Sequence, residues 1–233
     1  MEQAVVRKHQ AGGTYVKDIV YGANDGIITT FAVVAGVAGA GLDSTIVVLL
    51  GVANLLADGF SMAASNYLGS KSERDYVMME RRTEELEYHH EPEEERAEMF
   101  GFLRQKGYTK KDSDALLPLL SKNKEFWLDI MIREELGICP PEKGGQSVRS
   151  AAATFFAFVL AGIIPLMPYI LAIYDDVFGV AVISTALTLF IIGTLRSLFT
   201  DQPWYIAGAE MFSVGGIAAV IAYGVGFFVS TIV

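Results

Sequence analysis

The chain of 233 residues has little cysteine, little histidine and, over long stretches, little charge. Its single cysteine, Cys139, excludes an internal disulfide and a cysteine-rich metal site. The sequence contains one Glu-x-x-His motif, formed by Glu87 and His90. Di-iron four-helix proteins need two such motifs, so a ferritin-like oxidase is disfavoured. A net charge of −9 argues against nucleic-acid binding, because phosphate contacts require Lys and Arg. No Gly-x-x-x-x-Gly-Lys-Ser/Thr loop occurs, which argues against ATP-driven pumping.

The charges that are present are concentrated in one segment. Of the 45 Lys, Arg, Asp and Glu residues, 31 lie between Lys71 and Lys143. Residues 19–70 and 149–233 together hold only nine. A single soluble domain does not distribute its charges in this way, and 52% hydrophobic residues exclude general disorder.

Five apolar segments are long enough to cross a bilayer, which requires about 20 residues. Five such runs leave too little polar surface to solvate a soluble core, so the sequence predicts an all-α membrane protein. The predicted spans are Ile19–Leu42, Ser44–Ser70, Ser150–Tyr174, Val177–Leu195 and Trp204–Val233. The polar first 18 residues lack the features of a signal peptide, so span 1 is expected to be retained. Pro165 and Pro168 predict a kink or local unwinding in span 3.

Lys and Arg predict the orientation of the spans. Thirteen of the 18 lie between spans 2 and 3, and the others precede span 1 or lie at the start of span 3 and the end of span 4. Since cytoplasmic loops carry the positive excess, the N-terminus and residues 71–148 should be cytoplasmic and the C-terminus on the far side. The predicted organisation is a tail (1–17), spans 1 and 2 (18–70), a cytoplasmic helical insertion (71–148) and spans 3 to 5 (149–233).

Three carboxylates lie within the spans, where ionisable groups are expensive and are functional candidates by default. Asp25 and Glu210 each lie about 9 Å into a span at 1.5 Å per residue, and Asp58 lies near the midplane, one helical turn from Met62. Asp25, Asp58, Met62 and Glu210 are therefore candidates for an ion path. An acid near a helix N-terminus is also favoured by the helix dipole, which is a structural alternative for Glu210.

The insertion contains eight Glu and one Arg between Glu84 and Glu98. Span 2 should continue as a helix to His90, and Pro92 should begin the next helix, which stops at Gly107. Thr109 and Asn123 should cap two more helices. A hairpin at Pro92 would bring two Glu pairs together, with Met131 and Glu135 able to join them. The pairs are Glu84 with Glu87 and Glu95 with Glu98. Clustered carboxylates suit Fe(II), Mn, Mg or Ca, but an acidic run is also typical of a solvated helix face.

Several motifs give the chain a resemblance to a known family. The run from Trp127 to Gly137 (WLDIMIREELG) is the most specific of them. The others are Asn24-Asp25-Gly26-Ile27, Ser61-Met62 with Tyr67-Leu68, and Ile164-Pro165-Leu166-Met167-Pro168-Tyr169. Together they resemble the vacuolar iron transporter family over about residues 15–232.

The resemblance implies a homodimer with a path at its interface, and export of Fe(II) from the cytosol in exchange for protons, with Mn(II) as a further candidate substrate. It implies no catalytic activity and no cofactor beyond the transported ion. The membrane path residues of the family fall on Asp25 and Met62. Its cytoplasmic metal ligands fall on Glu84, Glu87, Glu95, Glu98, Met131 and Glu135.

Two positions depart from the family. Ile132 stands where relatives have a second methionine, and Asn54 stands where they have a glutamate. Because Asn cannot carry a proton, we hypothesise that Asp58, one turn along the same helix face, takes over that role. The alternatives to a proton-coupled transporter are a passive cation channel and a non-transporting membrane protein that stores metal or mediates interactions. The sequence leaves the membrane open, as either a plasma membrane or a vacuole-like membrane.

Overall fold

The computed structural model describes residues 13–137 and 146–232, and every regular element in these residues is helical. Five helices are long and apolar enough to cross a membrane, which confirms the predicted all-α membrane fold. Cys139 lies outside the described residues. The helices are α1 Gly13–Gly39, α2 Ser44–His90, α3 Pro92–Gln105, α4 Lys110–Leu120, α5 Lys124–Glu135, α6 Gln146–Gly162, α7 Met167–Leu171, α8 Val177–Arg196 and α9 Trp204–Ile232.

The chain divides into two compact units. The described residues up to Tyr67 and from Ser147 onward form one, here called the membrane unit. Leu68–Gln146 forms the other, here called the insertion unit. Helix α2 runs without a break from Ser44 to His90, as the absence of a helix breaker predicted.

The membrane unit is organised around α1, which packs against α8 and α9. Its core contains large apolar side chains with little or no exposure, including Phe31, Val34, Phe158 and Leu166. A methyl group at Gly26 would collide with the main-chain carbonyl of Phe158, and one at Gly162 would lie 2.6 Å from the Gly26 carbonyl oxygen. The α1 and α6 backbones therefore touch through small residues, as helices in lipid commonly do.

Two predicted spans end earlier than the sequence indicated. Helix α1 stops at Gly39 rather than Leu42, because the following turn places Gly41 at φ +67°, where glycine is favoured. The third span is α6, then a 3₁₀ turn over Ile164–Leu166, then α7. This confirms the unwinding predicted from Pro165. The span ends at Leu171, because Ala172 adopts a left-handed conformation.

Local sequence signals determine the helix ends of the insertion unit. Pro92 occupies the first turn of α3, where its missing N–H costs nothing. Thr109 forms a capping box with Asp112 at the start of α4, and the Asn123 side chain accepts a hydrogen bond from the Phe126 N–H at the start of α5. Gly107 adopts positive φ after α3. The starts of α3, α4 and α5 are therefore the ones that these residues predicted.

The small core of the insertion unit contains Met99, Trp127 and Met131, all essentially unexposed. Tyr88 packs on this core from α2 with its ring edge towards Trp127, at a centroid separation of 5.9 Å. Arg81 of α2 forms ion pairs with Asp129 and with Glu125, the latter at 2.6 Å. Apolar burial and these ion pairs together hold α2, α3 and α5 against one another.

Candidate metal-binding and transport sites

Three of the glutamates singled out in the sequence converge in the insertion unit. Glu84 and Glu87 lie on α2, and Glu95 lies on α3 beyond the turn at Pro92. One carboxylate oxygen from each lies within 4.8 Å of the others, a spacing that can hold a metal ion. The geometry follows from the sequence, because the i, i+3 pair of α2 shares a face and the break at Pro92 folds α3 back beside it.

Glu84 is the most unusual of the three electrostatically. Its side chain is 4% exposed, and its Oε2 atom has no hydrogen-bond partner among the described residues. Burial, together with a charge interaction and a hydrogen bond with Glu135, raises the pKa of Glu84 from 4.5 to about 8. A carboxyl group with a pKa of about 8 holds its proton at neutral pH, so Glu84 is neutral there and can donate a hydrogen bond.

The other predicted ligands, Glu98, Met131 and Glu135, lie on α3 and α5 of the same unit. Burial raises the pKa of Glu95, and burial followed by the charge of Glu135 raises that of the more exposed Glu98. Glu135 and Glu98 therefore contribute to the same negative field without belonging to the close group of three. The Met131 thioether is fully buried in the core beside Met99.

Trp127 is a contact of this site that sequence reasoning missed. Its indole Nε1–H donates a hydrogen bond to Glu95 Oε2 at 3.1 Å, and both side chains are buried. The sequence shows Trp127 within its most specific motif, but it carries no signal for the partner, which lies 32 positions earlier on another helix.

Neighbouring basic groups are engaged with other carboxylates. Lys124 pairs with Glu85 at 2.5 Å and also approaches His89, while Lys106 pairs with Glu134. His90 directs its Nδ1 to the Leu86 carbonyl oxygen. Among the described residues, no basic side chain forms an ion pair with Glu84, Glu87 or Glu95, so a proton or a bound cation can balance their charge.

The membrane unit contains a cavity of about 400 Å³ that brings together three of the four predicted path residues, Asp25, Asp58 and Met62. Asp25 comes from α1, and the other two come from successive turns of α2. The remaining lining is mostly polar and comprises Lys17, Asp18, Tyr21, Ser61, Ser65, Asn66 and Thr154. The cavity thus offers carboxylates, hydroxyls and a thioether to a cation.

Asp18 is a third carboxylate of this cavity, and sequence reasoning missed it because it precedes the predicted start of span 1. The Asn66 Nδ2 group donates to Asp18 Oδ1 at 2.9 Å and to Thr154 Oγ1 at 2.7 Å. Helix α1 begins at Gly13, so Asp18 lies on a regular helix two turns before Asp25. The available signal was this seven-residue spacing, which places two residues on one helix face.

Glu210, the fourth predicted path residue, has a different environment. Its Oε2 accepts a hydrogen bond from Arg196 Nη2 at 2.6 Å, and Arg196 also donates to Gln202. Glu210 lies near the start of α9, and the cation that pairs with it is the last residue of α8. The ion pair joins these two helices and neutralises the Glu210 carboxylate.

Comparison with known proteins identifies the family of the chain. A family model described as the VIT family matches residues 16–227. The vacuolar iron transporter of Plasmodium berghei is 34% identical over 232 residues, covering 96% of this chain and 85% of the relative. Vacuolar iron transporter 1 of Arabidopsis thaliana is 36% identical over 217 residues, covering 93% and 86%. With the family model and these relatives spanning nearly its whole length, the chain belongs to the VIT family.

Proposed function

We propose that this integral membrane protein is a transporter, not an enzyme, and that it exports Fe(II) from the cytosol in exchange for protons, with Mn(II) as a second substrate. The observation that carries the proposal is membership, over nearly the full chain, of a family whose similar members are named vacuolar iron transporters. The convergence of Glu84, Glu87 and Glu95 supports a divalent cation as the substrate.

In this proposal the insertion unit collects metal. Carboxylates are hard oxygen ligands that suit Fe(II) and Mn(II), and the Met131 thioether is a softer donor. Glu84 has a buried oxygen without a hydrogen-bond partner, which an ion can satisfy. Binding displaces the proton held by Glu84, because a ligating carboxylate must be ionised. Glu98 and Glu135 strengthen the field that concentrates cations around the site.

The cavity of the membrane unit then receives the ion. Asp25 and Asp58 replace part of its hydration shell, and Met62 supplies a thioether. Protonation of these carboxylates from the far side releases the metal and couples its export to proton entry. Glu210 remains a candidate on the same path, but its ion pair with Arg196 must open before its carboxylate can take an ion or a proton.

The assembly and orientation belong to the same proposal. Two copies form a homodimer with the path at their interface, the N-terminus and residues 71–148 face the cytoplasm, and the C-terminus faces the far side. The positive-inside distribution of Lys and Arg supports the orientation. The host membrane is a plasma membrane or a vacuole-like membrane.

Flux in proteoliposomes tests the function. Purified protein is reconstituted, and uptake of Fe(II) or Mn(II) is measured with and without an imposed proton gradient. We expect metal flux that responds to the gradient and proton movement that accompanies it. Flux that ignores the gradient would instead indicate a passive channel, and metal binding without flux would indicate a storage protein.

Two sets of variants test the residues. Asp58→Asn should reduce proton-coupled flux, whereas Asp175→Asn, at an exposed carboxylate before α8, should not. Undiminished coupling in Asp58→Asn would reject the idea that Asp58 replaces the family glutamate at Asn54. Glu95→Ala combined with Glu98→Ala should weaken metal binding, measured by calorimetry on the full chain. Wild-type affinity in that double variant would reject the insertion site.

A further inference from the structure

The contact between Trp127 and Glu95 differs from the other interactions of the glutamates. Within residues 13–137 and 146–232, the indole N–H is the only hydrogen-bond donor to the Glu95 carboxylate. Glu84 shares its hydrogen bond with another carboxyl group, that of Glu135. Among the three glutamates, Glu95 is therefore the one whose carboxylate is held by a neutral donor. Because the indole is uncharged, it does not neutralise the negative charge of Glu95.

Trp127 is well placed to hold that carboxylate in one orientation. Its side chain is 1% exposed, packs with Met99 and Met131, and meets the edge of Tyr88. An indole confined in this way presents its N–H in one fixed direction. A free glutamate has several rotatable bonds, and immobilising them costs entropy when an ion binds. The hydrogen bond to Oε2 restricts these bonds in advance, leaving Oε1 and the second lone pair of Oε2 for the ion.

We infer that Trp127 is a positioning residue for the metal site, which orients Glu95 through the hydrogen bond from Nε1 to Oε2 and so raises the affinity of the site without touching the ion. The inference rests on the proposed function, because it assumes that Glu84, Glu87 and Glu95 bind the transported metal. It assigns to the tryptophan of the WLDIMIREELG motif a role in addition to core packing. Outer partners that orient metal ligands typically change metal affinity by about 10–100-fold.

The test removes the N–H and keeps the aromatic core. Mn(II) affinity is measured by calorimetry on the full chain carrying Asp18→Asn, Asp25→Asn and Asp58→Asn, so that the membrane cavity has lost its three carboxylates. Trp127→Phe should weaken binding by about 10–100-fold. Tyr88→Phe is the matched control. It removes a hydroxyl group from the same core, but this hydroxyl donates to the Ser121 carbonyl oxygen and not to a glutamate. It should leave the affinity within about twofold of the parent.

A double-mutant cycle separates positioning from packing. If Trp127 acts through Glu95, Trp127→Phe should cause no further loss of affinity in a Glu95→Ala background. Losses that simply add, or a Trp127→Phe variant with the affinity of the parent, would overturn the inference. If the parent itself binds no Mn(II), the proposed function of the insertion unit fails instead, so the two failures are distinguishable.

A second variant covers the case in which Trp127→Phe does not fold. Replacing Trp127 by benzothienylalanine keeps the shape of the ring system and exchanges the N–H for sulfur. This variant should show the same loss of affinity, and parent affinity in it would overturn the inference.

As a spectroscopic check, Trp204→Phe leaves Trp127 as the only tryptophan. Its emission should change with Mn(II) and saturate together with calorimetric binding, and an emission that stays constant while Mn(II) binds would contradict the inference.

Discussion

The two units of the molecule both gather carboxylates, but they hold them in opposite ways. In the insertion unit, Glu84 and Glu95 are 4% and 5% exposed and lie against an apolar core. In the membrane unit, Asp25 and Asp58 are only partly buried and line a polar cavity with serine and asparagine side chains. The first arrangement leaves negative charge poorly solvated, whereas the second surrounds it with groups that can replace water.

This difference in surroundings matches the two tasks proposed for the units. A buried carboxylate without a counter-ion is unfavourable, so it takes up a proton or a cation firmly. Carboxylates in a polar cavity keep part of their solvation and gain less from an ion, which allows the ion to leave. The insertion unit is therefore suited to retaining metal, and the cavity of the membrane unit is suited to passing it on.

The largest expected effect comes from the membrane unit. Asp25→Asn should reduce Fe(II) flux in proteoliposomes by at least about 100-fold. The reason is that the cavity then lacks a carboxylate that replaces part of the hydration shell of the ion. Metal binding by the insertion unit should stay unchanged in the same variant. Asp175→Asn serves as the control at an exposed carboxylate. Substantial flux through Asp25→Asn would contradict the proposal that the carboxylates of the membrane unit pass the ion on while those of the insertion unit retain it.

Packing of the membrane unit provides the next effect. Gly26→Ala inserts a methyl group against the Phe158 carbonyl, where main-chain atoms cannot yield easily. We expect a loss of about 3 kcal/mol in stability, seen as a lower thermal midpoint in detergent. Gly216→Ala is the control, because among the described residues no atom outside its own helix turn lies within 4 Å of the added methyl group. Equal midpoints for the two variants would contradict the proposed close contact of α1 with α6.

The pH dependence of metal binding tests the insertion unit. With a pKa of about 8, Glu84 holds its proton at pH 6 and must lose it to ligate. Mn(II) affinity should therefore rise by up to about tenfold per pH unit from pH 6 to 8 and then level off. Calorimetry on Glu84→Gln should show weaker binding with a shallower slope. An unchanged slope would assign the proton to another group.

The same raised pKa has a consequence for stability. The folded state binds more protons than the unfolded state between about pH 5 and 8, so the free energy of unfolding of the metal-free insertion unit should fall as pH rises through this range. The slope is at most about 1.4 kcal/mol per pH unit. Hydrogen exchange of insertion-unit amides in the full chain measures this dependence of stability on pH. Glu84→Gln should remove most of the dependence.

The smallest expected effect concerns the ion pairs of the insertion unit. Arg81→Met should lower its stability by about 1 kcal/mol, because the partly exposed Arg81 joins α2 to Asp129 and Glu125 on α5. Arg96→Met, which breaks an exposed pair with Glu93 within α3, should have less effect. Hydrogen exchange measures both variants. A larger effect from Arg96 would show that these pairs do not hold the helices together.

Much of the fold could be predicted from sequence because its signals are local. Hydrophobic runs determine the spans, Pro92 starts α3, and Thr109 and Asn123 cap α4 and α5. The early ends of α1 and of the third span were not predicted, because apolar residues such as Leu42 continue beyond the point where the backbone turns. The pattern of apolar residues predicts that a helix is present, but it does not show at which residue the backbone adopts a positive φ and ends the helix.

The candidate sites were predictable in part, for the same reason. Helical spacing and the break at Pro92 allowed Glu84, Glu87 and Glu95 to come together, but only the family resemblance favoured a metal site over a solvated helix face. Position within the spans indicated Asp25, Asp58 and Met62. Neither the role of Asp18 as a cavity residue nor the pairing of Glu210 with Arg196 was expected. Both depend on which helices are neighbours, and a single sequence does not contain that information.

The sequence by itself determined the membrane character of the chain, its helices and the position of its acidic insertion, because these follow from composition and from short-range propensity. Only the tertiary structure decided which carboxylates are buried, which are paired and which share a cavity. It placed an indole N–H on Glu95 and an arginine on Glu210. The physical reason is that solvation and pairing depend on distances between residues far apart in the chain, and these distances exist only once the helices have packed.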